Sequence, residues 1–253
     1  MTKDTIEKTG NAIALFSDPF ERAARELFAE PVLRPRRCRG DAAADDRDAL
    51  EFELGIEGRR IVADYAAAIK KEDADGDECL MQCAEALAAV VGIDPDDFFG
   101  HRRDFTFGTL QLLINKTELF AYVGHFWNHM GNPIAELDAR RLEDWFLAPD
   151  SPRRKFRKCH CPMDDETLDR AVREYRRSGT NRLILQRPWD GMEWRKIGFA
   201  ESGDRYSVVW YDLFQAMVSE LAGRLDLYPV EFFFCCQPGT GFDFQRPPTS
   251  SGE

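Results

Sequence analysis

His125 and His129 stand four residues apart in the stretch TLQLLINKTELFAYVGHFWNHM at 109–130. On a helix that spacing places both imidazoles on one face, where they can share a metal ion. A metal-dependent enzyme around this pair is therefore one expectation. Phe126 stands where the zinc-protease motif needs Glu directly after its first His. A third ligand has to come from elsewhere, from His101 or an acidic loop, because Glu118 lies about 16 Å from His129 along a helix.

The cysteines offer a second constellation. There are seven, an odd number, and the N-terminus MTKDTIEKTG lacks the basic start and apolar stretch of a secretory signal. A disulfide framework is not expected. Cys79 and Cys83 share a helical face with Leu87, the pattern of a core stripe. Pooled with Cys159, His160 and Cys161 they supply soft ligands for a tetrahedral zinc ion. Cys159 and Cys161 are closer together than the usual zinc pair, so the expectation is no cofactor, with zinc as the alternative. Cys159 also lies beside Arg157, Lys158 and His160, neighbours that favour a thiolate.

Other chemistries are excluded by their missing motifs. The chain contains no Gly-x-Ser-x-Gly elbow, no Gly-x-x-x-x-Gly-Lys-Ser/Thr phosphate loop and no Gly-x-Gly-x-x-Gly fingerprint. Asp73, Asp75 and Asp77 alternate as calcium ligands do. However, the sixth and twelfth positions of that loop are not Gly and Glu, which excludes an EF-hand.

Charge identifies a third kind of site. The chain of 253 residues carries a net charge of −11. Residues 151–200 nonetheless hold 13 basic and 7 acidic side chains, whereas the sequence on either side is acidic. The densest basic run is Arg153, Arg154, Lys155, Phe156, Arg157 and Lys158, with Arg173, Arg176 and Arg177 following. These nine residues are the expected contact with a partner or with nucleic acid. An acidic body repels bulk nucleic acid, so contact is either local at the basic run or made by acidic faces on a basic protein surface. Residues 41–48 and 72–78 are the acidic clusters suited to the second route. Arginine outnumbers lysine 26 to 8, a usage that fits a GC-rich bacterial or phage genome.

The elements that must position these residues follow from caps and periodicity. Asp18-Pro19 opens a helix that stops before Pro31. Helices are expected over 58–71, 78–91, 109–130, 138–147, 164–178 and 212–226, with a short strand at 50–56. Residues 182–187, 193–199 and 205–211 read as three strands. Asp190-Gly191 and Ser202-Gly203-Asp204 supply the turn chemistry of an antiparallel meander between them. The expected fold is α+β, mainly helical, with that meander in the C-terminal half. It divides into an acidic helical lobe (1–149), a basic linker or loop (150–163), a helix–meander–helix lobe (164–236) and a flexible tail (237–253).

An internal echo has two readings, duplication of the two lobes or chance similarity between amphipathic helices followed by Pro. CLMQCAEALAAVVGIDPDDFF at 79–99 matches LFQAMVSELAGRLDLYPVEFF at 213–233, pairing Leu87 with Leu221, Pro95 with Pro229, and both Phe-Phe pairs. Both segments resemble the closing helix of lambda-repressor-type helix-turn-helix domains, in which a Leu-Ala-x-x-Leu-like stretch precedes Pro and a Phe/Leu pair. The resemblance covers about 20 residues, on the part of such domains that does not read DNA.

No run approaches the roughly 18 apolar residues of a membrane span. The expectation is a cytoplasmic, non-enzymatic binding or regulatory protein acting on a protein or nucleoprotein partner, such as an inhibitor of a nucleic-acid-handling complex. A nucleic-acid-contacting regulator using 153–158 is the alternative, beside the metal-dependent enzyme above.

Overall fold

A computed structural model describes residues 18–29, 54–93, 105–131, 139–199 and 206–236. Its elements, in chain order, are α1 (Pro19–Ala29), a π-helical turn (Leu54–Gly58), α2 (Arg59–Ala68), α3 (Gly76–Val91), α4 (Phe107–Met130) and α5 (Ala139–Leu147). A 3-10 turn (Pro152–Phe156), α6 (Asp165–Ser178) and the single turn α7 (Arg182–Leu185) come next. A second 3-10 turn (Trp194–Lys196), α8 (Val208–Gly223) and α9 (Pro229–Cys236) complete the fold.

Local chemistry explains where the helices begin. Asp18 accepts the N–H groups of Phe20 and Glu21 at 3.0 and 3.2 Å, and Asp75 accepts those of Asp77 and Glu78 at 2.9 and 3.1 Å. Each cap satisfies donors that a helix N-terminus otherwise leaves open. α3 closes on Gly92 at φ 71°, from which the Ile93 N–H returns to the Ala88 carbonyl at 2.8 Å. That left-handed position favours glycine.

α4 is the axis of the molecule. It is apolar around most of its circumference, as a helix surrounded by others must be. It packs against α1, α2, α3, α5, α9 and both 3-10 turns. Its N-terminus is held by a reciprocal cap between Thr106 and Thr109. It is also held from outside, where the Gly108 N–H donates to the Ile197 carbonyl at 2.7 Å and Thr106 Oγ1 to that of Arg195. α6, α8 and α9 pack together. Buried side chains from Phe20 to Cys236 belong to a single apolar cluster that includes residues on both sides of position 150.

The meander expected over 182–187, 193–199 and 205–211 is not present among the described residues, and the fold there is mainly helical, not α+β. Asn181 caps α7 by accepting the Leu183 N–H at 3.0 Å, which winds the first expected strand into a helical turn. The second is coiled at Trp194–Lys196 and bonded to the start of α4. The third merges into α8, because Trp210, Tyr211, Phe214, Met217, Val218 and Leu221 form one long buried helical stripe. Of the two turns expected to join those strands, the chain does turn at Asp190-Gly191, with Gly191 at φ 68° and the Met192 N–H bonded to the Trp189 carbonyl at 3.1 Å, and Ser202-Gly203-Asp204 lies outside the described residues. Short helical turns at Arg182–Leu185 and Trp194–Lys196 stand where the strands on either side were expected.

Of the strand expected at 50–56, residues 54–56 lie in the π-helical turn and 50–53 lie outside the described residues. Both helices of the internal echo are core elements, with Leu87 and Leu221 fully buried. The Pro95–Phe99 part of the echo, the acidic cluster 41–48, His101, Cys38 and the tail 237–253 lie outside the described residues.

Candidate functional site

Half of the basic run serves the interior. Arg153 is 5% exposed and forms a two-point ion pair with buried Glu231, Nε to Oε1 at 2.6 Å and Nη2 to Oε2 at 2.7 Å. Its guanidinium lies between the rings of Phe146 and Tyr228, 4.9 and 4.4 Å from their centroids. Tyr122 donates its hydroxyl to the same Glu231 oxygen at 2.6 Å and accepts the Trp145 indole N–H at 3.1 Å. Phe156 is completely buried against Tyr122 and His125. Lys158 Nζ donates to the carbonyls of Lys71, Glu72 and Ala74 at 2.7, 2.7 and 2.8 Å, closing the turn between α2 and α3. Arg154, Lys155 and Arg157 point to solvent.

The cysteine–histidine constellation is a set of separate polar ties. Cys159 donates its thiol to Glu118 Oε2 at 3.5 Å. His160 bridges Tyr211 Oη (2.8 Å from Nδ1) and Asp77 Oδ1 (3.2 Å from Nε2), linking α8 to the start of α3. Gln215 brackets Cys161, accepting its N–H at 3.1 Å and donating to its carbonyl at 2.7 Å. Asn115 Nδ2 reaches both Gln111 Oε1 and Tyr211 Oη, and Gln111 donates to the Met163 carbonyl at 2.9 Å. These bonds stitch residues 159–163 across α4 and α8. Cys79, Cys83, Cys159 and Cys161 are free. Among the described residues no group of three or more His, Cys, Asp or Glu is arranged to hold a metal ion.

Burial decides the protonation of this cluster. It pushes the Cys159 thiol well above its ordinary range, and the neighbouring Glu118 carboxyl adds to the effect. That is opposite to the thiolate suggested by the adjacent basic residues. Glu118 is itself raised by burial, against smaller opposing effects of Lys70 and the Cys159 thiol. Tyr65 Oη is buried in the same region without a hydrogen-bond partner among the described residues.

The paired histidines part company. His129 Nε2 donates to the Arg141 carbonyl at 3.1 Å, and its ring lies 5.4 Å from that of Trp145. His125 meets Phe156 edge-on, and burial, with Lys155 and Lys70 nearby, lowers its pKa. His129 is thereby tied to α5, and His125 packs on Phe156.

Arg173, Arg176 and Arg177 have a different fate. All three are exposed on α6, and all three line one cleft of about 540 Å³ between that helix and residues 189–192. Apolar side chains of Leu168, Val172, Trp189 and Met192 line its base. Trp189 is fixed by donation of its indole N–H to the Ile184 carbonyl at 2.9 Å and by an edge contact with Trp210. Arg176 spans the cleft to Asp190 at 2.9 Å, in a pair whose side chains are 47% and 82% exposed. Arg177 reaches Glu174 at 3.5 Å. A larger cleft of about 690 Å³ beside α4 is lined by charges that pair with one another, Lys116 with Glu26 and Arg195 with Asp165.

Sequence reasoning missed Trp189 and Met192 as cleft residues. The signal was the turn Trp-Asp-Gly-Met, which reads as a hairpin end but sets an indole against the arginine-bearing helix. It also missed Leu183 and Leu185, which stand 67% and 38% exposed on α7. No protein-family model matches the chain, and neither a curated protein nor a solved structure matches it.

Proposed function

We propose that the protein is a non-enzymatic cytoplasmic binding protein that regulates or inhibits a protein or nucleoprotein partner, and that it engages this partner through the face formed by α6, α7 and the 189–192 turn. The observation that carries the reading is the joint exposure of arginines and apolar side chains there. Arg173, Arg176 and Arg177 line a cleft with Trp189 and Met192, and Leu183 and Leu185 are exposed on α7, the turn that follows α6 in the chain. Arginine is a residue type on which interface energy concentrates, and Leu183 and Leu185 are large apolar side chains left exposed. Three candidate groups from the 153–161 stretch already have internal partners: Arg153 with Glu231, His160 with Asp77 and Tyr211, Cys159 with Glu118.

The test is site-specific photocrosslinking in the native host. A crosslinking residue at Leu183 is expected to capture one reproducible protein, and the same residue at exposed Glu166, on the opposite end of α6, is not. Capture of nothing above the control overturns the proposal.

A nucleic-acid-contacting regulator is the second reading, favoured by the exposure of Arg154, Lys155 and Arg157 in one turn. A gel shift at low salt, lost on neutralising these three, would support it; no shift would remove it.

A further inference from the structure

We infer that the cleft between α6 and the 189–192 turn recognises an acidic side chain flanked by a bulky apolar one in an extended segment of the partner protein. This deepens the binding reading above and rests on it. Three features of the cleft specify that chemistry. Arg173 carries no ion pair among the described residues, so its guanidinium is available as a two-pronged donor to a carboxylate. Among the described residues Arg176 is ion-paired with Asp190 alone, and this pair is so exposed that it contributes little and exchanges readily for an incoming carboxylate. Behind the arginines, Trp189 and Met192 are only 5% and 7% exposed and complete an apolar wall with Val172. That wall accepts a hydrocarbon side chain next to the acid.

The acids in the same cleft set the selectivity. Asp169 and Asp190 line it together with the arginines. A phosphodiester strand, with a charge at every unit, meets these carboxylates and the net charge of −11 together. A peptide carrying one or two acids among apolar residues brings far fewer charges to those carboxylates while still reaching the arginines. Charge complementarity therefore favours a peptide over nucleic acid.

The experiment uses the intact protein and two fluorescein-labelled probes, a short extended peptide carrying a single Glu beside Leu among uncharged residues and a single-stranded DNA of the same length. Anisotropy at low salt is expected to show peptide binding, and the Trp189 indole resonance is expected to shift on titration. Both effects should weaken roughly tenfold in R173E and more in R173E/R176E. R173Q, which keeps helix propensity and adds no like charge, should fall between R173E and wild type. A glutamine-for-glutamate peptide should bind poorly. The inference is overturned by equal peptide binding in R173E/R176E, by tighter binding of the DNA, or by no binding of the acidic peptide. Loss of the Leu183 crosslink to the host partner would instead remove the binding reading itself. With that crosslink intact, failure of the peptide removes only the acidic specificity.

Discussion

Arg153 and Glu231 form a buried two-point ion pair, at 2.6 and 2.7 Å, between residues 78 apart in the chain. It joins the turn after α5 to the first turn of α9, and the Arg153 Nη2 contact to the Asp226 carbonyl at 2.7 Å draws in the loop before α9. The Glu231 carboxylate also accepts the Tyr228 N–H at 2.7 Å and the Tyr122 hydroxyl. A side chain that reads in sequence as the first member of a basic patch is thus a structural rivet.

Removal of one partner leaves the other charged and buried. R153A and E231A are each expected to lower the unfolding free energy by about 3–5 kcal/mol, read from urea denaturation. The double variant R153M/E231L, which replaces both charges with apolar groups of similar volume, should recover much of that loss. Equal losses for the single and double variants would show that packing, not the ion pair, is what the arginine contributes.

The remaining basic residues divide by the same logic. Neutralising Arg154, Lys155 and Arg157 together should change stability by no more than about 0.5 kcal/mol, because all three lie in solvent. K158M should cost about 1–3 kcal/mol, since three carbonyls of the 71–74 turn lose their shared donor. A thermal melt of the two proteins side by side distinguishes them. Indistinguishable melts would mean that the Lys158 contacts contribute nothing.

These contrasts explain what the sequence could and could not convey. Helices α1, α3, α4 and α6 were legible because their signals are local. Asp18 and Asp164 open α1 and α6, and Cys79, Cys83 and Leu87 share a helical face, while the Asp75 cap that starts α3 was not read from the sequence. Arg153 was not legible, because its partner lies on another helix and a buried arginine is written with the same letter as an exposed one. Residues 182–199 were misread for a related reason. Their alternating apolar pattern and Asp190-Gly191 turn are compatible with a hairpin, and only the packing of Trp194 and Ile197 against the start of α4 selects the coiled form. Of the candidate site, Arg173, Arg176 and Arg177 were visible as charge. The apolar wall opposite them depended on that same nonlocal packing.

The close approach at the start of α4 can be tested with a single methyl group. A Cβ at Gly108 would collide with the Trp194 carbonyl oxygen, part of a backbone that also bonds the helix terminus. G108A is expected to destabilise the protein by about 1–3 kcal/mol or more. Gly223, at the end of α8, has nothing within 4 Å of the corresponding position. G223A should be neutral or stabilising by up to about 1 kcal/mol through helix propensity. Urea denaturation of both variants gives the comparison, and equal effects would contradict the tight packing of α4 on the Trp194 turn.

The buried Glu118 carboxyl makes a prediction about pH. Burial raises its pKa in the folded protein above the ordinary value near about 4.3 that it holds in the unfolded chain. Between those two values the folded state keeps a proton that the unfolded state has released. Stability therefore falls as pH rises through that window, and the penalty is complete above the folded pKa. E118Q keeps the shape of the neutral acid and has no proton to lose. Its stability relative to wild type should increase steadily from about pH 4 upward and then level off once Glu118 is ionised in both states. Urea denaturation of the two proteins across that range measures the difference. A difference that does not change with pH would mean that Glu118 ionises equally easily in the folded and unfolded chains, and that the Cys159–Glu118 contact does not sit in a dry interior.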